Sequence, residues 1–283
     1  QEEGAQETWV YLFDNTNMIY WEKNSTLVNG EKDDIRGSLA LTFRAFFEDF
    51  NLVETDMVFN GVERQWYTDY DANIVQSVYV EAIALHEIGH MIGMEHSTIG
   101  TSTMMYQAQL GINSQLNLSP DDIAFSQTYY PAAGVLESLG TLEGQVIRDG
   151  EGIHGAVIVL EDMDGNVLRG AISRPKRLVW DAGYFQLTAL PPGQYQVRVT
   201  PLAAASANQF LMKGAVINFE AFQDAPTDFL PSDAQTVTIS AGGITAQDVE
   251  VQSGEPAFRI HGIQPKVNNL SFLSIDRAPT RLK

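Results

Sequence analysis

The run His86-Glu87-Ile88-Gly89-His90-Met91-Ile92-Gly93-Met94-Glu95-His96 constrains this chain more than any other stretch. It spells HExxHxxGxxH. On a helix, residues four apart differ by about 40° in direction, so His86 and His90 point the same way from successive turns. Both imidazoles can reach one metal ion. Glu87 lies about 100° round, beside such an ion rather than on it, where a base for an activated water belongs. His96 follows His90 by six residues, and an unbroken helix would carry it about 240° away. The helix therefore has to stop. Gly93 is placed to stop it, because glycine takes positive φ without a Cβ clash. His96 then swings back as a third ligand. Three protein nitrogens with one open position suit a catalytic zinc rather than a structural one.

An HExxH pair alone also occurs on charged helix surfaces. The third histidine and the intervening glycine set this run apart, in a chain with only five histidines. On these residues the stretch resembles the metzincin metallopeptidases and, within them, the matrixins (matrix-metalloprotease-like enzymes). Ser97 after His96 is similar to the matrixin choice there. Met105, within Thr103-Met104-Met105-Tyr106, is similar to the family's Met-turn, which places a methionine beneath the zinc ligands. Leu118-Ser119-Pro120-Asp121-Asp122-Ile123, running to Tyr129-Tyr130-Pro131, resembles the closing helix of a matrixin catalytic domain, where an aspartate braces the Met-turn, a role open to Asp122. Asp56-Met57-Val58-Phe59-Asn60-Gly61 resembles the sheet's edge strand, which in the family lies along the substrate.

The resemblance covers roughly residues 15–131 and is most specific at 86–106. It implies an α+β zincin-type domain, a twisted sheet plus a zinc helix. It also implies a zinc metalloendopeptidase with His86, His90 and His96 as ligands, Glu87 as general base, and Gly93 and Met105 in support. Two departures stand out. Gln107 occupies a position where matrixins usually carry proline, in the wall of the pocket for the residue after the cleaved bond. Residues 1–14 are too few for the strand and long helix that normally precede the matched segment, so the N-terminal part of this domain is expected to be incomplete. With no cysteine in the sequence, a cysteine-switch segment and a disulfide framework are both excluded from it, and the redox compartment stays open.

A length of 283 residues accommodates two domains and a piece of a third. A net charge of −19 argues against nucleic acid and anionic membrane as partners, since both call for Lys and Arg. No apolar run is long enough to span a bilayer, and no signal peptide is visible. A secreted or cell-surface location is expected from the family alone.

Leu39–Phe47 and Asp56–Phe59 read as strands and Val78–Ile92 as the zinc helix, with Val80, Ala84, Ile88 and Met91 as its core face. Ser119 reads as the N-cap of a second helix, with Pro120 at its first position and Asp121 and Asp122 in its first turn. The expected domain limits are 1–131 for the peptidase, 132–140 for a Pro/Ala/Gly linker, 141–253 for a β-domain, and 256–283 for a tail or the start of a further β-domain opening at Phe258–Ile263.

Past the linker the texture changes to short strands between turns: Leu142–Ile147, Ala156–Leu160, Val167–Ile172, Tyr184–Leu190, Gln194–Thr200, Thr236–Ile239 and Gln247–Val251. Asp164-Gly165-Asn166 is a hairpin signal. The pattern, with Gly144-Gln145-Val146 early and Gly155-Ala156 before a buried strand, resembles the carboxypeptidase regulatory-like domains, small Ig-like sandwiches of bacterial surface and secreted proteins. Residues 203–231 read as an inserted loop.

His154 and His261 stand alone and read as surface or packed histidines. Asp69, Asp71 and Asn73 alternate oxygen donors as a calcium (or second zinc) loop does, and equally as a solvated turn does. Two functions from different classes are compatible with the whole: an endopeptidase acting on protein or peptide substrates, or a non-catalytic surface or adhesion protein whose sandwich binds a cell-surface or matrix target. Glu87 discriminates, because a fold retired from catalysis typically loses its base or a ligand, and all four residues are intact.

Overall fold

The computed structural model describes residues 16–28, 33–47, 51–69, 77–100, 102–105, 107–109, 115–176, 181–202, 225–255 and 272–274. Contacts divide them into two units, one gathering the described residues within 1–95, 106–117 and 266–283, the other those within 96–105 and 118–265. The whole is mostly β, with two α-helices among the described residues. None of the described helices is long and apolar enough to cross a membrane.

In chain order the first unit holds β1 (Ile19–Glu22), β2 (Leu27–Val28), β3 (Asp33–Asp34), β4 (Ala40–Phe46), β5 (Leu52–Asn60), β6 (Trp66–Tyr67) and β7 (Val78–Tyr79). The helix α1 (Val80–Met91) and β8 (Gln107–Gln109) follow, and β8 pairs antiparallel with the short segment Phe272–Ser274. The main sheet has the order β1-β5-β4, β1 running parallel to β5 and β4 antiparallel to it. Alternation along β5 splits its side chains between two cores. Met57 and Phe59 join Leu39, Ala40, Val78 and Ile83 of α1 on one face. Val58 joins Tyr20, Val28, Ile35 and Leu41 on the other.

This corrects the edge-strand expectation for Asp56–Gly61. From Glu54 to Asn60 every residue of β5 is buried, the mark of a central strand covered on both faces. Its main chain is bonded to β1 and β4, so no substrate strand can add to it. Among the described residues β1 and β4 end the sheet order instead.

The core face expected for α1 holds at Ala84 and Met91 and fails at Ile88. Ile88 is exposed, whereas Ile83 and Glu87 are buried and Ala84 and Met91 pack partly against the sheet cluster. Positions 83, 87 and 91 form an i, i+4, i+8 stripe. A buried glutamate occupies the middle of that stripe, so a hydrophobic count alone shifts the face.

The second unit holds α2 (Pro120–Tyr129), β9 (Gly140–Arg148), β10 (Glu151–Gly152), β11 (Val157–Glu161), β12 (Val167–Ile172), β13 (Tyr184–Leu190), β14 (Gly193–Thr200), β15 (Gln235–Ile239), β16 (Ile244–Ala246) and β17 (Val249–Glu250). One sheet is β10-β9-β13 with β16 and β17 also on β9, and the other is β12-β11-β14-β15. Leu142, Val146, Ile158, Leu160, Phe185 and Val197 lead the core of this unit, as the inward-facing positions of a two-sheet sandwich do. The Asp162–Asn166 turn joins β11 to β12: Asp162 Oδ1 accepts from the Asn166 amide at 2.8 Å, and Gly165 takes φ 84°.

Residues 203–224 of the expected insertion lie outside the described residues. Its described end belongs to the core, since Phe229 is fully buried and bridges to Ser253. Phe258–Ile263, His261, Asp71 and Asn73 lie outside the described residues as well.

Candidate metal centre

The helix α1 begins after Tyr79 without a side-chain cap and ends in a defined stop. Gly93 takes φ 97°. Its amide donates to the His90 carbonyl at 2.9 Å, and the Met94 amide donates to the Gly89 carbonyl at 2.9 Å. These are the two bonds of a Schellman ending, which needs a left-handed residue where Gly93 stands. The stop also orients His90. The Met94 carbonyl accepts from His90 Nδ1 at 2.8 Å, and a carbonyl can only accept, so Nδ1 carries the proton and Nε2 is left with its lone pair. Arg44 of β4 donates to the same Met94 carbonyl at 3.2 Å and pairs with Glu95 at 2.7 Å.

His86 and His90 are buried, and their Nε2 atoms lie 3.1 Å apart. His96 brings its own ring nitrogen to the same place, with the three ligand atoms all within 4.8 Å of one another. Among the described residues no other group of His, Asp or Glu meets in this way. Two nitrogens bound at about 2.0–2.1 Å to one tetrahedral zinc would sit roughly 3.3–3.4 Å apart. The donor set therefore fits zinc in chemistry, and its His86–His90 pair comes close to that spacing.

Glu87 is fully buried. Its Oε2 accepts from the Thr42 hydroxyl of β4 at 2.6 Å, which holds the carboxylate in one orientation. Thr42 and Arg44 carry no signal in the sequence. They are ordinary strand residues until β4 is laid beside α1.

Beyond His96 the chain folds back on itself. The Ser97 amide donates to the Met104 carbonyl at 2.9 Å, and the Met105 amide donates to the Ser102 carbonyl at 3.2 Å, so Ser102–Met105 is a tight turn with Met104 and Met105 both buried. Asp122 organises it. Its carboxylate accepts from Ser102 Oγ at 2.6 Å, from the Thr103 amide at 3.0 Å and more weakly from the Met104 amide at 3.4 Å. It also accepts from the Ser119 amide at 2.8 Å, closing a reciprocal capping box at the start of α2.

The neighbouring Asp121 faces the sandwich. It accepts from Arg169 Nε of β12 and from Ser97 Oγ, at 3.2 and 2.6 Å. Burial lowers the pKa of the Arg169 guanidinium, and Asp121 works against that shift. His154, half-buried, takes no part in the histidine group.

Residues 14–131 match the family model described as Matrixin. No curated protein matches. Among solved structures, the TIE protein of Bacillus anthracis is 15% identical, with 41% of this chain and 17% of that chain covered and a TM-score of 0.27. BcpA, the major pilin subunit of Bacillus cereus, is 17% identical over 41% of this chain and 31% of that one, with a TM-score of 0.28. A minor pilin of Streptococcus agalactiae is 15% identical over 47% and 48%, with a TM-score of 0.25. At such scores these likenesses carry no argument, and the chain spans less than half of each of these proteins. The Matrixin match supports a matrixin-like domain over residues 14–131 and, at the level of that family, a metallopeptidase that uses zinc and acts on protein substrates.

Proposed function

We propose that this chain is a zinc-dependent endopeptidase, with His86, His90 and His96 as the metal ligands and Glu87 as the general base. The observation that carries the proposal is the meeting of three imidazole nitrogens, two of them from a helix whose Glu87 is buried and held by Thr42. Zinc bound there would supply a water acidified towards neutral pH and a polarised scissile carbonyl. Glu87 takes the proton of the attacking water and delivers it to the departing amine nitrogen. Thr42 keeps the Glu87 carboxylate aimed, and the Met94 carbonyl keeps the His90 lone pair turned to the ligand side. An extended substrate adds alongside β4, one of the two strands that end the sheet among the described residues.

On this reading residues 1–131 carry the chemistry and 141–253 form a sandwich accessory to it, in a protein that acts outside the cell. The non-catalytic alternative is disfavoured by the intact Glu87. The test is metal analysis with peptide cleavage. Wild type holds one zinc per chain and cleaves peptides of a broad library, while His96→Ala loses most of its zinc, because two imidazoles hold the ion weakly. Full zinc occupancy in His96→Ala removes His96 from the ligand set.

A further inference from the structure

The sandwich is bonded to the loop that carries the third histidine, and the bonds run through one carboxylate. Asp121 Oδ2 accepts from the Ser97 hydroxyl at 2.6 Å, and Ser97 is the residue directly after His96. The same hydroxyl accepts from the Ile99 amide at 3.0 Å, so it also shapes the turn that leaves the ligand. On its other oxygen, Asp121 accepts from Arg169 Nε and from the Gly170 amide, both at 3.2 Å and both from β12. Arg169 is itself pinned, its Nη1 donating to the Thr188 carbonyl of β13 at 2.8 Å.

The approach of β12 is close. A Cβ at Gly170 would come within 2.7 Å of Ile99 Cδ1 and 2.8 Å of Thr98 Oγ1. A second link, Thr128 to Thr188 at 2.8 Å, joins α2 to β13. Arg169 and the Asp121 carboxylate are both largely withdrawn from water, at 10% and 16% side-chain exposure. A pair so placed holds its geometry, whereas an exposed pair contributes little. Removing one partner leaves the other charge half-buried and free to turn.

We propose that Arg169 of the sandwich is a positioning residue for the third zinc ligand, acting through Asp121 and Ser97 on the loop that holds His96. The sandwich is then a working part of the peptidase rather than a spacer. This rests on the peptidase reading and adds to it. Outer-shell partners of a metal site typically contribute roughly 10–100-fold in metal affinity or activity.

The experiment uses the full chain, loaded with zinc or with cobalt(II). Arg169→Met is expected to speed zinc release to a chelator by about tenfold, to shift the visible absorption of the cobalt form, and to lower kcat with little change in KM. Arg169→Lys, which keeps the charge but not the fork, is expected to fall between the two. Ser97→Ala changes almost no volume and serves where Arg169→Met folds poorly. The double variant Arg169→Met/Ser97→Ala is expected to release zinc no faster than the worse single variant, because both act through Asp121.

If Arg169→Met and Ser97→Ala release zinc and absorb as wild type does, or if their effects simply add, the inference is overturned while the peptidase reading stands. If wild type itself takes up no zinc, the peptidase reading falls and this inference falls with it.

Discussion

Asp122 supports both the methionine turn and the start of α2, and replacing it separates hydrogen bonding from charge. The carboxylate is 1% exposed. It accepts from two well-placed amides, Thr103 and Ser119, from the hydroxyls of Ser102 and Ser119, and weakly from the Met104 amide. In Asp122→Ala the hydroxyls can rotate to other partners, but the two amides are left buried without an acceptor. At about 1–3 kcal/mol for each such group, the loss is about 2–6 kcal/mol.

Asp122→Asn behaves differently. With its amide oxygen on the side of the Thr103 and Ser119 amides, its NH₂ meets Ser102 Oγ, which can accept. The weak contact with the Met104 amide is lost, but that amide keeps its bond to Ser102 Oγ at 3.0 Å, so the main loss is charge assistance, about 1 kcal/mol. The assay is urea unfolding of both variants beside wild type, followed by fluorescence and by circular dichroism, because two units need not unfold together. The expected order is wild type, then Asn slightly below, then Ala far below. Equal losses in the two variants, or an alanine loss under about 1 kcal/mol, would refute the reasoning, since buried amides left without an acceptor cost at least that much.

Thr42→Val keeps the shape of the side chain and removes the hydroxyl that holds Glu87. A hydrogen bond to a charged group is worth about 1.5–3 kcal/mol, so turnover is expected to fall at least tenfold while zinc content stays at the wild-type level, as steady-state kinetics with metal analysis will show. Gly93→Ala forces a Cβ into φ 97°, at about 1–2 kcal/mol of stability. By moving Met94 it also loosens the Nδ1 bond of His90, so thermal midpoint and zinc affinity are expected to drop together.

What was legible in the sequence was local. The end of α1 could be placed because one glycine is the only residue there that can take a left-handed conformation, and the motif required a stop. The start of α2 could be placed because Ser119, Pro120 and Asp122 each do their work within one turn. The strands of the second unit were legible for the same reason: period-two burial and turn residues lie within a few positions of each other.

The errors came where the partner is distant in sequence. Glu87 sits on the sheet-facing stripe of α1 because Thr42, 45 residues away, receives it, and no local pattern says that a glutamate belongs inside. β5 resembled an edge strand by its motif, yet its unbroken burial, not its motif, says that it is central. Asp122 was readable as a brace for the methionine turn, whereas Asp121 read only as a first-turn acid, and its partner Arg169 lies 48 residues on.

The central claim, that zinc and Glu87 together hydrolyse peptide bonds, is tested most directly by Glu87→Gln. The change keeps size and hydrogen bonding and removes the base. Glu87 is one residue from His86 and not on its face, so zinc content is expected to remain at one per chain. Turnover of an unstructured protein substrate is expected to fall by ~10²–10⁴-fold, the usual contribution of a positioned general base. An active wild type whose Glu87→Gln variant cleaves at a comparable rate would contradict the account.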